Sequence, residues 1–228
     1  MSADYSQIEL RVLGYLSQDE TLLNAFKSDK DIHALTAAGL FDIEVQNVIF
    51  EQRQIGKRIN FSILYGLTAH GLSKDLDISR SLAKTYIEKF MAQYPGVCRW
   101  MENVVEQTKE KGYVETLFKR RRYLPGIHER NRTLYELARR VAINTVVQGT
   151  AAEIVKLGMI QLDKVFEQEK LNSKMLLQIH DELLIEVPEN EIDKVEKLVT
   201  DTLENVVQWN LPLVVTTRIG PNWQEVTK

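Results

Sequence analysis

Three interruptions break an otherwise helical hydrophobic pattern, and they restrict the chain to a helix-dominated fold carrying a small amount of sheet. The first is the N-terminus, where a very short strand-like piece, Met1-Ser2-Ala3-Asp4, runs into a helix predicted to begin near Gln7. Ser6 and Glu9 stand there at the spacing of a capping box. The second lies between Lys119 and Gly126, where a basic run meets Pro125-Gly126 and a loop is expected. The third is Met175 to Val187, two apolar runs separated by His180-Asp181-Glu182 and closed by Pro188. Charge confined to the middle predicts two short strands with the acids at the tip of a hairpin. Beyond it, Glu191 to Val207 reads as an amphipathic helix burying Val195, Leu198, Val199, Leu203, Val206 and Val207.

Size and composition narrow the chemistry. With 228 residues, 44% of them apolar, the chain can bury a real core. It contains no apolar run of membrane-spanning length and no basic-then-apolar leader, so a cytoplasmic protein with no membrane partner is expected. A single cysteine, Cys98, excludes an intrachain disulfide framework, and no Cys/His set has zinc spacing. Any metal must therefore sit on carboxylates. The formal net charge is −3, yet ten Lys/Arg against four Asp/Glu between Lys109 and Arg140 make that stretch +6 and the remainder −9. Such a basic field can steer a polyanion; a solvated helix face plus a loop is the alternative.

Asp4 and Asp181 lie far apart in the chain, each at an expected irregular point of a strand. Carboxylates held at strand ends can offer oxygen ligands to Mg²⁺, and two such ions can activate a hydroxyl and neutralise a leaving pyrophosphate. Ordinary turn or cap roles would explain the same two residues. More telling is Glu51 to Gly66, where Arg53, Lys57, Phe61 and Tyr65 recur every four residues. On a helix that spacing drifts only about 40° per step, so they line one face, with Ile55, Ile59 and Ile63 about 200° around it. Two cations, a ring and a phenol suit a triphosphate followed by a sugar and a base; an amphipathic helix with an incidental basic side is the rival reading. Gly66 can stop that helix. A second stripe, Arg140, Asn144 and Gln148, offers donors to the acceptors that every base pair shows in the minor groove, or is a plain solvent face.

In this order, the segments resemble the motifs of family A, or polymerase I-type, DNA polymerases. Asp4-Tyr5-Ser6-Gln7-Ile8-Glu9-Leu10-Arg11 is similar to the first palm motif, and Arg53 to Tyr65, with Lys57, Asn60 and Phe61, to the nucleotide-binding fingers helix. Arg140, Asn144 and Gln148-Gly149-Thr150 resemble the next block, and His180-Asp181-Glu182 the last palm motif. The resemblance runs from Ser2 to about Trp223. It implies an α+β fold: a polymerase palm, an antiparallel sheet with helices, formed by residues 1–10 and 134–228, with a mainly helical fingers subdomain over 11–133.

The resemblance also implies roles. Asp4, Asp181 and the Tyr5 carbonyl would hold two Mg²⁺ ions, with Glu182 an accessory acid. Arg53, Lys57 and His33, the last by its place in Asp31-Ile32-His33, would bind the triphosphate of a deoxynucleoside triphosphate, Lys57 also protonating pyrophosphate. Phe61 would lie by the sugar, Tyr65 by the nascent pair, Gln7 on the nucleotide, and Glu9 against the 2′ position. Arg140, Asn144, Gln148, Arg120, Arg121 and His180 would contact primer-template DNA. The implied function is template-dependent deoxynucleotidyl transfer in a cytoplasmic, bacterial-type nucleoid setting. Gln54 and Lys119 depart from the family, which often has arginine at the first position and glycine at the second. Only three residues precede Asp4, whereas the family's thumb and first palm segment precede that motif. A C-terminal fragment, or the product of a truncated reading frame, without a thumb is therefore expected, with little ladder to hold Asp4 and weak or no activity alone. Two rivals remain: a chain that binds nucleotide or DNA without turnover, and a metal-dependent phosphohydrolase using His33, His180 and Asp181.

Overall fold

The structure, a computed structural model, describes residues 1–66 and 68–226. Strand β1 (Ser2–Tyr5) leads into α1 (Ile8–Ser17), α2 (Glu20–Lys27), α3 (Ile32–Phe41) and α4 (Phe50–Leu64). Then come α5 (Ala69–Leu76), α6 (Arg80–Gln93), α7 (Pro95–Lys111), and the hairpin of β2 (Tyr113–Glu115) and β3 (Arg121–Tyr123). The long α8 (Arg132–Gln168) is followed by β4 (Lys174–Ile179), β5 (Glu182–Glu186), α9 (Ile192–Glu204), β6 (Val215–Arg218) and α10 (Trp223–Val226).

The chain forms two compact units, one of Met1–Arg11 with Thr150–Lys228 and one of Val12–Gly149. The later boundary falls inside α8, after residue 149, whereas the sequence suggested a division after residue 133. Asn131 starts α8 near that position, its side chain accepting from Thr133 N–H at 2.9 Å. Nothing in the following Ala- and Val-rich stretch then breaks the helix before Gln168.

In the first unit an antiparallel sheet has the order β4-β5-β1-β6. β1 is thus a central strand, with Ala3 opposite Leu183 on one side and Thr217 on the other. The expected shortage of ladder around Asp4 is corrected by this pairing. So is its expected irregularity, because Asp4 sits in regular strand between Glu182 and Thr216. Ala3, Tyr5, Leu183 and Ile185 are buried with Ile154 and Leu162 of α8 and Val195, Val199 and Leu203 of α9. Helix α1 opens one residue later than predicted. The Gln7 carbonyl accepts the first helical bond, from Arg11 N–H at 3.0 Å, and Gln7 takes φ 55°. Ser6 therefore stands outside the helix, its hydroxyl 3.0 Å from Thr216 Oγ1, and the Ser6–Glu9 capping box is off by one position.

Glu191 fixes the entry to β4. Its carboxylate accepts from Asn172 N–H (2.9 and 3.1 Å), Asn172 Nδ2 (3.1 Å), Ser173 N–H (3.0 Å) and Ser173 Oγ (2.7 Å). The bonds from Asn172 and Ser173 hold this carboxyl below the usual glutamate range. A depressed folded value means that the contribution is fully present above the unfolded value, about 4.3, and is lost as pH falls through the folded one. Glu191→Gln should therefore melt below the parent chain at neutral pH, and thermal melts repeated at falling pH should show the gap closing. A gap that is independent of pH would refute the carboxylate's role.

The second unit is helical apart from the β2–β3 hairpin. Fully buried Ile32, Leu40, Ile59, Leu72 and Tyr94 mark its core. The loop expected over Lys119 to Gly126 is instead a turn, a strand and a short 3₁₀ segment over Pro125–His128. Lys119 makes the turn at φ 69°, which is why glycine suits that position. Pairing of Val114 with Arg122, an edge-on Tyr113–Tyr123 contact at 5.5 Å and a Glu115–Arg121 ion pair at 2.8 Å hold the strands. Val114 and Leu124 pack on Ala142 and Val146, seating the hairpin on α8.

Candidate active site

The hairpin of β4 and β5 has a two-residue tip, since Ile179 pairs with Glu182. His180, the first tip residue, takes φ 56°, a conformation that costs a non-glycine residue roughly 1–2 kcal/mol. Strain of this kind persists where surrounding structure enforces it. Here Gln178 Nε2 donates to the His180 carbonyl at 3.1 Å, and Tyr5 N–H donates to the Asp181 carbonyl at 3.2 Å. The second bond ties β1 to the tip.

Antiparallel register then sets Asp4 directly opposite Glu182, beside Asp181. The register thus brings backbone positions 4, 181 and 182, from two distant parts of the chain, to the same end of the two central strands. Asp4 is buried at 8% exposure, while Asp181 and Glu182 are half-buried and His180 is exposed. Ser2 Oγ donates to Glu182 Oε1 at 2.5 Å. Burial raises Asp181 above the usual carboxylate range, Glu182 adds to this, and the Asp181 N–H and His180 oppose it. A bound cation would reverse that shift, so hard oxygen donors gathered in partial burial fit a divalent ion. Among the described residues no three His/Cys/Asp/Glu side chains are grouped so as to hold a metal by themselves. The Tyr5 ring is buried beneath, its hydroxyl donating to the Leu203 carbonyl at 2.8 Å. Gln7 and Glu9 are half-buried just beyond β1.

The second unit carries the other cluster. Helix α4 is continuous through Arg53, Lys57 and Phe61, Tyr65 is its C-cap, and Gly66 leaves it at φ 66°. Opposite them Ile59 and Ile63 are buried and Ile55 is half-buried. Phe61 and Tyr65 stack at 6.3 Å, and His33 lies 5.9 Å from Phe61. The His33 ring thus joins the α4 face, brought there by close packing of α3. That packing depends on Gly56, where a Cβ would lie 2.3 Å from the His33 carbonyl oxygen.

Asp31 does two jobs the sequence did not disclose. Its Oδ1 caps α3, accepting from His33 N–H at 2.9 Å and Ala34 N–H at 3.1 Å, and its Oδ2 pairs with Arg53 Nε at 2.5 Å. Burial raises its pKa, but these bonds outweigh it and hold the carboxyl below the usual range. Burial pushes His33 down to about 4; Asp31 opposes the shift, and Arg53 and Lys57 reinforce it. Also unforeseen is the buried chain behind His33: Asn60 Nδ2 to His33 Nδ1 (2.9 Å), Thr36 Oγ1 to Asn60 Oδ1 (2.8 Å) and Thr36 Oγ1 to Tyr94 OH (2.8 Å). An Asp three residues before an Ala-rich helix run was the available signal for the cap. Nothing local signals Thr36 or Tyr94.

On α8, Arg140 and Asn144 are half-buried and Gln148 is exposed. A Cβ on Gly66 would meet Arg140 Cγ at 2.4 Å, which sets the end of α4 against that stripe. Arg122 Nη1 donates to Thr145 Oγ1 at 3.1 Å, joining the basic hairpin to the same stretch. Arg120 and Arg121 are exposed, and Arg121 is held by Glu115 and lies 4.8 Å over the Tyr113 ring. Asp4, Tyr5, Gln7, Glu9, His180, Asp181 and Glu182 belong to the first unit. The remaining predicted residues belong to the second. Among the described residues no helix is long and apolar enough to cross a membrane.

Comparison with known proteins yields a consistent answer. The profile of DNA polymerase family A matches residues 1–225. DNA polymerase I of Streptococcus pneumoniae (strain ATCC BAA-255 / R6) is 47% identical over 226 residues, 99% of this chain and 26% of the relative. DNA polymerase I of Bacillus caldotenax is 44% identical over 224 residues, 98% of this chain and 26% of its own length. The chain thus spans about a quarter of the length of the curated relatives it matches. A solved structure described as the POL domain of Pol1 from M. smegmatis, in complex with DNA primer-template and dNTP, superposes with a TM-score of 0.90. It is 40% identical, and the match covers 94% of this chain and 38% of that one.

Proposed function

Given that the chain belongs to DNA polymerase family A, we propose that it carries out template-directed transfer of deoxynucleotides to the 3′-hydroxyl of a DNA primer. The observation that carries this reading is the β1–β5 register, which sets Asp4 opposite Glu182 and beside Asp181. On this reading the first unit is the palm and the second the fingers, and the chain acts in the cytoplasm at the nucleoid.

Asp4, Asp181 and the Tyr5 carbonyl would hold two Mg²⁺ ions, which supply charge to lower the pKa of the attacking hydroxyl and to neutralise the leaving pyrophosphate. The chain's own residues do the positioning. Arg53 and Lys57 grip the triphosphate, His33 adds a donor, and Lys57 gives a proton to departing pyrophosphate. Phe61 packs on the sugar, Tyr65 on the nascent pair, and Gln7 touches the nucleotide, while Glu9 crowds the 2′ position. Arg140, Asn144 and Gln148 grip the minor groove through acceptors common to all base pairs, so they bind without reading sequence. His180 stands at the primer terminus, and Arg120 and Arg121 meet backbone phosphates, a contact that weakens with salt.

The test is a titration of a deoxynucleoside triphosphate with and without Mg²⁺, paired with single-turnover extension of a primer-template on the same preparation. Mg²⁺-dependent binding and incorporation of only the templated base are expected. Incorporation indifferent to the template, or binding without any incorporation, would remove the polymerase reading. The two sugar contacts have their own tests. Phe61→Tyr adds a hydroxyl that can replace a contact which a dideoxynucleotide lacks, so discrimination against terminators should fall sharply. Glu9→Ala should admit ribonucleotides. Unchanged selectivity in both variants would sink these two roles.

A further inference from the structure

We propose that the buried chain Tyr94–Thr36–Asn60 fixes His33 as the neutral tautomer protonated on Nε2, so that the imidazole meets the triphosphate as an oriented hydrogen-bond donor and not as a cation. This rests on the nucleotide-binding reading of His33 given above. Asn60, Thr36 and Tyr94 are positioning residues here, acting only through the ring.

The geometry supplies the argument. Tyr94 and Thr36 are fully buried and Asn60 is 2% exposed, so each polar atom must find its partner inside the protein. The Tyr94 hydroxyl lies 2.8 Å from Thr36 Oγ1. Thr36 has one proton and three acceptors within reach, the Ile32 carbonyl at 2.9 Å, Asn60 Oδ1 at 2.8 Å and the Tyr94 hydroxyl oxygen at 2.8 Å. The orientation of the Asn60 amide is therefore decided at its other end. There Nδ2 faces His33 Nδ1 at 2.9 Å and the Ile32 carbonyl at 3.5 Å, where a reversed amide would set oxygen against oxygen. An amide NH₂ can only donate. His33 Nδ1 must then accept, and the ring's single proton sits on Nε2.

The surroundings keep the ring neutral. The charged groups about it are Asp31 at the start of α3 and Arg53 and Lys57 on α4, with Tyr94 behind Thr36. Burial and the two cations depress protonation more than Asp31 favours it. Close packing of α3 on α4 at Gly56, where a Cβ would lie 2.3 Å from the His33 carbonyl oxygen, keeps the amide from sliding relative to the imidazole.

The experiment is a long-range ¹H–¹⁵N correlation spectrum of the 228-residue chain with ¹⁵N-labelled histidine, the His33 signals being assigned by their loss in His33→Gln. A pyridine-like Nδ1 and a pyrrole-like Nε2 are expected, unchanged through the region around pH 6.5 where an ordinary histidine titrates. Asn60→Asp faces Nδ1 with acceptors only and should move the proton to Nδ1 and restore a titration near or above that region. Adding a deoxynucleoside triphosphate to the parent chain should shift Nε2 and leave Nδ1 unprotonated. A protonated Nδ1 in the parent chain, or an imidazolium in the nucleotide-bound state, overturns the proposal. If Asn60→Asp does not fold, the parent spectrum still decides. A correct tautomer whose signals ignore the triphosphate would show that the nucleotide reading has failed, and the proposal falls with it at that step.

Discussion

Replacing either Asp4 or Asp181 by asparagine should slow single-turnover incorporation by roughly a hundredfold or more, a loss of about 3 kcal/mol of transition-state stabilisation or greater. Asparagine keeps the shape of the side chain and removes the ligand charge. At Asp4 the strand is paired on both sides, so the backbone should hold its position in the variant. At Asp181 the neighbouring tip is already fixed through the Tyr5 N–H and Gln178. A structural explanation of lost activity is therefore tested by two controls, an unchanged thermal melt and triphosphate binding that survives because Arg53, Lys57 and His33 lie in the other unit. Near-normal incorporation by either variant would exclude it from the proposed metal pair. Glu182→Gln should cost less, since Ser2 occupies one of its oxygens in a structural bond.

The second large effect should come from a residue with no functional group. Gly56→Ala places a methyl 2.3 Å from the His33 carbonyl oxygen, 3.0 Å from the Ala37 nitrogen and 3.2 Å from Ala37 Cβ, so α3 backbone itself must give way. Alanine favours a helix over glycine by about 1 kcal/mol, which works in the opposite direction. Forced overpacking typically costs about 1–3 kcal/mol, and a contact this short belongs at the upper end. A chain of this size loses roughly 2–4 °C of melting temperature per kcal/mol, so a fall of about 5 °C is expected. Because α3 carries Asp31 and His33, its displacement should also loosen the Asp31–Arg53 pair and weaken triphosphate binding, by about tenfold if one charge-assisted bond is lost. A variant as stable as the parent, with unchanged nucleotide affinity, would refute the close-packing argument.

What could be read from the sequence divides along physical lines. The face of α4 was legible because helical periodicity is local, and four positions at one spacing need no tertiary knowledge. The acid-tipped hairpin was legible because charge cannot sit in the middle of a buried strand. Half of the expected packing set followed from the same periodicity, with Val195, Val199 and Leu203 fully buried, whereas Leu198 is half-buried and Val206 and Val207 lie beyond the end of α9 at Glu204, short of the predicted Val207. The β2–β3 hairpin escaped because Arg121-Arg122-Tyr123 has no alternation to announce a strand. Its stability comes from Tyr113, Glu115 and the floor of α8, contacts that only the fold provides. The role of Asn60 was hidden for a related reason, since its partners, His33 and Thr36 on α3 and Tyr94 at the junction of α6 and α7, are distant from it in sequence. The capping box at Ser6 failed because a cross-strand partner, Thr216, takes up its hydroxyl.

The strand order β4-β5-β1-β6 has a kinetic consequence. The second unit is one contiguous stretch, Val12–Gly149, whereas the first joins the opening eleven residues to the segment from Thr150 onward. Contacts between distant segments are slow to form, because the closure entropy of the intervening chain must be met before any pairing energy is gained. Emerging from a ribosome, the contiguous unit can condense while Ser2–Tyr5 waits for both β5 and β6 to be synthesised. The α4 face proposed to bind triphosphate should therefore mature before the β1–β5 register that sets Asp4 beside Asp181. On the reading proposed above, a nascent chain halted between those two events would hold nucleotide with no means of using it, so the order of assembly would delay catalysis until translation of this segment is nearly finished.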